Sequence, residues 1–309
     1  MEKISVGVIG IGSMGKNHLR IYSELKDVEE VYAFDTDHQN LDGVGVHGAI
    51  SCSSMDELLE SVDAVSICVP TGHHLEVAKS VIESGVHALI EKPITRTVKE
   101  GEELLDLLKD EGQGLTVGVG HIERFNPIIK EIKNITRHPL YAEFKRHNPT
   151  STRITDASVV EDLMVHDIDI VFNVLFSGKY EIFSAGNDDL CKTLIKFGSS
   201  IVSISASRKS SKKIRTIYIE EEDFTIEGDF MNQEIYVYHK PEKYGVESER
   251  YMQENIIEKV LVNKVEPLKE ELKAFIQAAR KSEAFEITPV QAVNNLRVCE
   301  AIRRLNGAL

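Results

Sequence analysis

Short, near-continuous apolar runs recur along the first part of the chain. They are "ISVGVIG" at 4–10, "EVYAFD" at 30–35, "DAVSICVP" at 63–70, "VHALIEKP" at 86–93 and "LTVGVG" at 115–120. Runs of that length, apolar on both parities, are what strands covered on both faces require. Between them lie stretches with helical spacing: "KNHLRIYSELK", "SSMDELL", "HHLEVAKSVIESG" and "TVKEGEELLDLLKDEG". Ser54 with Glu57 forms a capping-box pattern, and Gly85 stands where a helix would close. Strand and helix in alternation predict a parallel, doubly wound sheet.

The pattern changes in the second half. In "DLMVHDID" (162–169), Asp162, His166 and Asp169 are spaced i, i+4 and i+7, and Asn173 continues the series. The neighbours are Leu, Met, Val, Ile and Phe, so a helix over 162–177 carries one ionisable stripe on an otherwise apolar rod. Strand-like runs follow, several of them alternating: "YEIFSAG", "KTLIKFG", "SIVSISAS", "IRTIYIEE", "FTIEGDF" and "EIYVYH". Two helical stretches, "EPLKEELKAFIQAARK" and "TPVQAVNNLRVCEAIRRL", close the chain.

The 309 residues are enough for two domains, and their net charge is −14. That acidity argues against a general nucleic-acid binder but not against a local basic pocket. The four cysteines, Cys52, Cys68, Cys191 and Cys299, are scattered without a CxxC pair, as reduced thiols of a cytosolic protein would be. No secretory leader pattern opens the chain, and no apolar run approaches the ~20 residues of a membrane span. A soluble, cytoplasmic protein is the expectation.

Gly10, Gly12 and Gly15 in "GIGSMG" lie between a predicted strand and a predicted helix, the context a dinucleotide fingerprint needs. The first glycine permits the tight turn, the second admits a pyrophosphate and the third packs helix on strand. Ser13 and Met14 share the turn, whose helix end presents N–H groups to phosphate. Asp35 ends the second strand, where a carboxylate would hold ribose hydroxyls. Nothing basic follows in "DTDHQ" to accept a 2′-phosphate, which favours NAD over NADP. His166 and Asp162 could also ligate a metal, but no further clustered ligand completes a zinc sphere, so no metal is expected.

The motifs "GVIGIGSMGKNH", "CVPTGHH", "SGVHALIEKPIT", "GHIERFNP" and "DLMVHDID", in this order, resemble the glucose–fructose oxidoreductase/inositol dehydrogenase (Gfo/Idh/MocA) family. The resemblance implies an NAD-binding Rossmann domain over 1–121. It implies a substrate-binding and oligomerisation domain over 122–309, of α+β type, with a large open, mostly antiparallel sheet. A homodimer or homotetramer through that sheet would cover its long edges. Carried over by motif, Pro70, Thr71, His74, Glu91 and Lys92 join Gly10, Gly12, Ser13, Met14, Gly15 and Asp35 at the cofactor. In such enzymes the EKP lysine and the Asp-x-x-x-His pair face the nicotinamide across the interdomain cleft, which makes Lys92, Asp162 and His166 the catalytic set. A histidine suits the base that takes the O–H proton. Asp162 would set its tautomer, and Lys92 would hydrogen-bond the reacting oxygen. Asp169 reads as a supporting group.

"GHIERFNP" and "EFKRHNPTSTRITDASVVEDLMVHDID" are most similar to the UDP-N-acetylglucosamine 3-dehydrogenase branch of that family. Where many members carry a Gly-Gly run before the aspartate, this chain has "ASVVED". Lys145, Arg146, His147 and Arg153 lie between Glu143 and Asp156 without an acid among them, an excess suited to a diphosphate. That excess makes Arg146 and Arg153 expected substrate contacts, and the resemblance adds Asn126, His166 and Arg124, which matches the family's cofactor- or substrate-side arginine. A second basic run, "SRKSSKKIR" (207–215), reads as a solvated hairpin. The expected reaction is NAD-dependent oxidation of a secondary hydroxyl of a nucleotide sugar. Alternatives are a dehydrogenase of inositol or another free polyol, an NAD-assisted glycoside hydrolase, and a non-catalytic NAD-binding regulator.

Overall fold

The computed structural model describes residues 3–149, 157–241, 244–247, 250–253 and 255–307. They form two compact units. The first comprises residues 1–122 with 266–297, the second 123–265 with 298–309. Residues 266–297 return to the first unit after the strands of the second have been built.

The first unit is built on a six-stranded parallel sheet: β1 (Ile4–Ile9), β2 (Val28–Phe34), β3 (Ile50–Ser51), β4 (Ala64–Ile67), β5 (His87–Glu91) and β6 (Val117–Gly120). Their order is β3-β2-β1-β4-β5-β6, the dinucleotide-binding order. Helices α1 (Ser13–Glu24), α2 (Met55–Ser61), α3 (His74–Glu83) and α4 (Val98–Asp110) connect the strands. Ser54 Oγ accepts the Glu57 N–H, and the Glu57 carboxylate reaches back to the Ser53 N–H, one position before the expected box. β1, β4 and β5 are buried almost throughout, which explains their unbroken apolar sequence.

The returning segment is tied to this unit by particular bonds. The Thr116 hydroxyl donates to the Glu283 carbonyl at 2.7 Å, and the Val119 N–H to Ile287 at 3.1 Å. Phe285 lies over Gly118, where a Cβ would come within 2.2 Å of its ring. The glycine in "VGVG" therefore makes room for that ring.

The second unit opens with α5 (Pro127–Ile135) and the strand β7 (Tyr141–His147), which the sequence reading leaves as a basic segment. Next comes α6 (Val165–Ile170), preceded by a π turn at Val160–Met164 and followed by another at Val171–Leu175. The strands β8 (Tyr180–Gly186), β9 (Leu190–Phe197), β10 (Ser200–Ser207), β11 (Ile214–Glu220), β12 (Phe224–Asp229) and β13 (Glu234–His239) follow. After the small hairpin β14 (Tyr244–Glu247) and β15 (Arg250–Gln253) comes the edge strand β16 (Ile256–Val260). The eight-stranded order is β16-β13-β12-β11-β7-β10-β9-β8, antiparallel except for β7 against β10. One face packs on α5 and the 160–175 helix through Ile128, Phe144, Met164, Ile168 and Ile204. The closing helices are α7 (Pro267–Ala279) and α8 (Pro289–Leu305).

Candidate active site

In the first unit the glycine turn has the shape its sequence requires. Gly10 has φ +90°, and a Cβ there would lie 2.8 Å from the Cys68 carbonyl carbon. At Gly15 a Cβ would sit 1.9 Å from the Gly10 oxygen, so only glycine lets α1 start this close to β1. At Gly12 a Cβ would meet nothing within 4 Å, and no side chain caps the helix it precedes. An open second glycine before uncapped amide groups fits a dinucleotide pyrophosphate. Ser13 and Met14 are exposed beside it. Asp35 accepts the Ile11 N–H at 2.6 Å and the Asp37 N–H at 2.8 Å. Its carboxylate thus shapes the turn, with lone pairs remaining for ribose hydroxyls.

Pro70 and Thr71 begin a single 3-10 turn after β4, exposed and half-buried respectively. His74 is buried, with Nδ1 and Nε2 each 2.9 Å from a backbone carbonyl, of Pro93 and Val69. Burial outweighs those carbonyls and holds its pKa below the ordinary value. His74 therefore ties the loops after β4 and β5 together. Glu91 is buried at the end of β5, followed by the half-buried Lys92 and a cis Lys92–Pro93 bond.

The second unit holds the other candidates. Asp162 and His166 are half-buried, Asp162 in the first π turn and His166 on α6. Arg208, from the basic run read as solvated, is buried and reaches Asp162 Oδ2 at 3.3 Å and the Ala157 carbonyl at 2.8 Å. Asp169 is gripped by Arg124, whose Nε and Nη2 donate to its two oxygens at 2.7 Å, with Asn173 adding a third bond at 3.0 Å. That pair is almost wholly buried, so this edge of Arg124 is committed to Asp169 and not to substrate.

Arg146 corrects a further expectation. It shares the inner face of β7 with Ala142 and Phe144, and its side chain is 1% exposed. Its guanidinium binds Asp167 through Nε at 3.1 Å and Nη2 at 2.7 Å, binds Glu123 through Nη1 at 2.6 Å, and lies over the Phe230 ring. A cation so enclosed cannot contact a diphosphate. Burial alone would raise the Glu123 carboxyl, but the Arg146 and Arg215 guanidiniums outweigh it and hold it below the usual range. Asn126 is also internal: it caps α5 and donates to the Phe230 carbonyl at 3.0 Å. Lys145 pairs with Glu143 at 2.7 Å, so the expected local excess of positive charge is largely neutralised. Arg153 lies outside the described residues.

Sequence reasoning missed Asp167, Glu123 and Arg208. A carboxylate inside an apolar run must be paired if it is buried, which signals partners for both aspartates of "HDID". Among the described residues no cluster of three or more His, Cys, Asp or Glu could hold a metal ion, and no helix is long and apolar enough to cross a membrane.

Residues 4–121 match the model of an oxidoreductase family with an NAD-binding Rossmann fold, Gfo/Idh/MocA. The chain is 30% identical over 251 residues to the UDP-N-acetylglucosamine 3-dehydrogenase of Acidithiobacillus ferrooxidans, 78% of each chain being covered. The solved structure of that enzyme superposes with a TM-score of 0.88 at 26% identity, covering 100% of this chain and 99% of the other. An inositol 2-dehydrogenase of Pseudarthrobacter chlorophenolicus is 25% identical over 55% of this chain and 53% of its own. A levoglucosan dehydrogenase solved with NADH and L-sorbose shares the fold, at 18% identity and a TM-score of 0.82 over 99% of this chain and 97% of the other. The glycine turn, the strand order and these matches together make the chain a member of the Gfo/Idh/MocA oxidoreductase family, with an NAD-binding Rossmann fold and a dehydrogenase activity on CH–OH groups.

Proposed function

We propose that the protein oxidises a secondary hydroxyl of a nucleotide sugar with NAD, and that its substrate is UDP-N-acetylglucosamine, oxidised at the 3-hydroxyl. The observation that carries this reading is the similarity to the Acidithiobacillus enzyme across most of the chain, with Lys92, Asp162 and His166 all present. NAD, when bound, supplies the hydride acceptor. Gly12 and the α1 amides hold its pyrophosphate, and Asp35 its ribose. His166 takes the hydroxyl proton, Asp162 one turn earlier steadies the imidazolium, and Lys92 donates a hydrogen bond to the oxygen as charge builds on it. With Arg146 enclosed, the diphosphate is recognised by other groups.

The test is NADH formation with purified protein, NAD and UDP-N-acetylglucosamine, with a ketone trap to pull the equilibrium. N-acetylglucosamine and myo-inositol run in parallel, because an inositol dehydrogenase is also similar. Lys92→Ala and His166→Ala each lower turnover by about 100-fold or more while NADH still binds. Near wild-type turnover in both variants overturns the assignment of roles. Activity on inositol alone overturns the substrate.

We also propose a homodimer or homotetramer through the outer face of the large sheet. Phe183, Leu194 and Ile201 are each more than 40% exposed on adjoining strands there, and neighbouring exposed apolar side chains mark interaction surfaces.

A further inference from the structure

A buried chain of hydrogen bonds joins the helix of the glycine turn to the strand end that carries Lys92. Tyr22 OH lies 2.7 Å from Ser66 Oγ, Ser66 Oγ lies 2.9 Å from His18 Nδ1, and His18 Nε2 lies 3.0 Å from Glu91 Oε1. The second Glu91 oxygen, Oε2, accepts the backbone N–H of Lys92 at 3.1 Å. His18, Tyr22 and Ser66 have no exposed surface, and Glu91 is nearly as enclosed.

The direction of each bond follows from the groups. Burial tends to raise the Glu91 carboxyl, but His18 and the neighbouring Lys92 outweigh it and bring it below the usual range, so Glu91 is an acceptor only. His18 Nε2 must then donate. Burial pushes the Tyr22 phenol up, so it keeps its proton and donates to Ser66. Ser66 in turn donates to His18 Nδ1. An imidazole that donates from Nε2 and accepts at Nδ1 satisfies every atom in this row.

We propose that His18 is a positioning residue for Lys92: from the helix of the glycine turn it fixes the Glu91 carboxylate, and Glu91 fixes the backbone of Lys92. The inference deepens the proposed dehydrogenase function and rests on it, since the orientation of Lys92 matters to turnover only if Lys92 meets the reacting oxygen. His18 points at no cofactor-binding atom of the turn, so its loss moves Lys92 without opening the pyrophosphate cradle.

The test uses the full chain with His18→Leu, His18→Gln and Ser66→Ala. NADH binding is measured by fluorescence titration, turnover by initial rates, and Lys92 exposure by its rate of modification with trinitrobenzenesulfonate, read by peptide mass mapping. His18→Leu lowers kcat by about 10- to 100-fold, the scale of a misplaced catalytic group, while the NADH Kd stays within about threefold. His18→Gln, which offers an N–H to Glu91 and a carbonyl to Ser66, recovers part of that loss. Lys92 labels at least about twice as fast or as slowly in His18→Leu as in the wild type. If His18→Leu does not fold, Ser66→Ala carries the test, with a smaller fall in kcat at unchanged Kd. Wild-type kcat in the folded variant, or a Kd that rises in step with the fall in kcat, overturns the proposal. Should the wild type oxidise no sugar at all, the functional reading fails by itself. Lys92 labelling then decides this inference alone, with equal rates overturning it.

Discussion

Asp162 is held by Arg208 at the edge of a helix whose other acids have arginines of their own. Removing Arg208 takes one support from the Asp162 carboxylate, and Arg208→Ala is expected to lower kcat/KM by about tenfold, with Arg208→Lys losing less. Steady-state rates check this, and unchanged rates in the alanine variant sink the positioning role. Arg146→Met should act on stability: it takes the arginine from buried Asp167 and leaves Glu123 with Arg215 alone, at about 3–5 kcal/mol by urea unfolding. A third residue sets a pH dependence. His87 Nδ1 accepts the Thr116 N–H at 2.8 Å, and burial lowers its pKa, so the folded state binds its proton less readily than the unfolded one. Its contribution is present above the unfolded value of about 6.5 and is lost as pH falls through the lower folded value. Unfolding midpoints should therefore drop on acidification from pH 7 to 5, and less steeply in His87→Asn; equal slopes would contradict it. The Arg146 placement is written in the alternation of Ala142, Phe144 and Arg146, buried at every second position of β7. A reading by charge alone groups Arg146 with Lys145, which points to the opposite face.

Among the elements, the first unit follows the hydrophobic pattern closely where β1, β4, β5 and β6 are buried almost throughout and where Ser54 and Thr97 cap α2 and α4. The 160–175 helix does not. The i, i+4, i+7 spacing assumes an α-helix throughout, whereas Asp162 and Asn173 lie in π turns on either side of α6, with Asn173 still bonded to Asp169. Asp167 and Asp169, two residues apart on α6, point to different sides of it, and with Asp162 they meet three different arginines. Nothing in the local sequence marks a π turn, since it comes from packing and not from propensity. At β6 the local pattern is legible but its reason is not: Gly118 answers to Phe285, distant in sequence. Gly118→Ala should destabilise by about 1–3 kcal/mol through overpacking, and Phe285→Leu should restore part of it. Additive effects in the double variant would show that the two sites do not share that space.

For the molecule as a whole, the doubly wound sheet and the open second sheet could be anticipated from the order of elements and the family motifs. The return of residues 266–297 to the first unit could not, because it depends on bonds such as Thr116 to Glu283 and Val119 to Ile287. The exposed apolar side chains on β8, β9 and β10 call for sedimentation velocity, where a dimer or tetramer is expected and Phe183→Lys should weaken it. The central claim is the chemistry, and its most direct measurement is NADH absorbance on mixing the protein with NAD and UDP-N-acetylglucosamine under ketone trapping. A rise that needs the UDP-sugar, and that disappears in Lys92→Ala although NADH still binds, is the result this account predicts. No rise with the UDP-sugar, alongside demonstrable NAD binding and turnover of a free polyol, would contradict it.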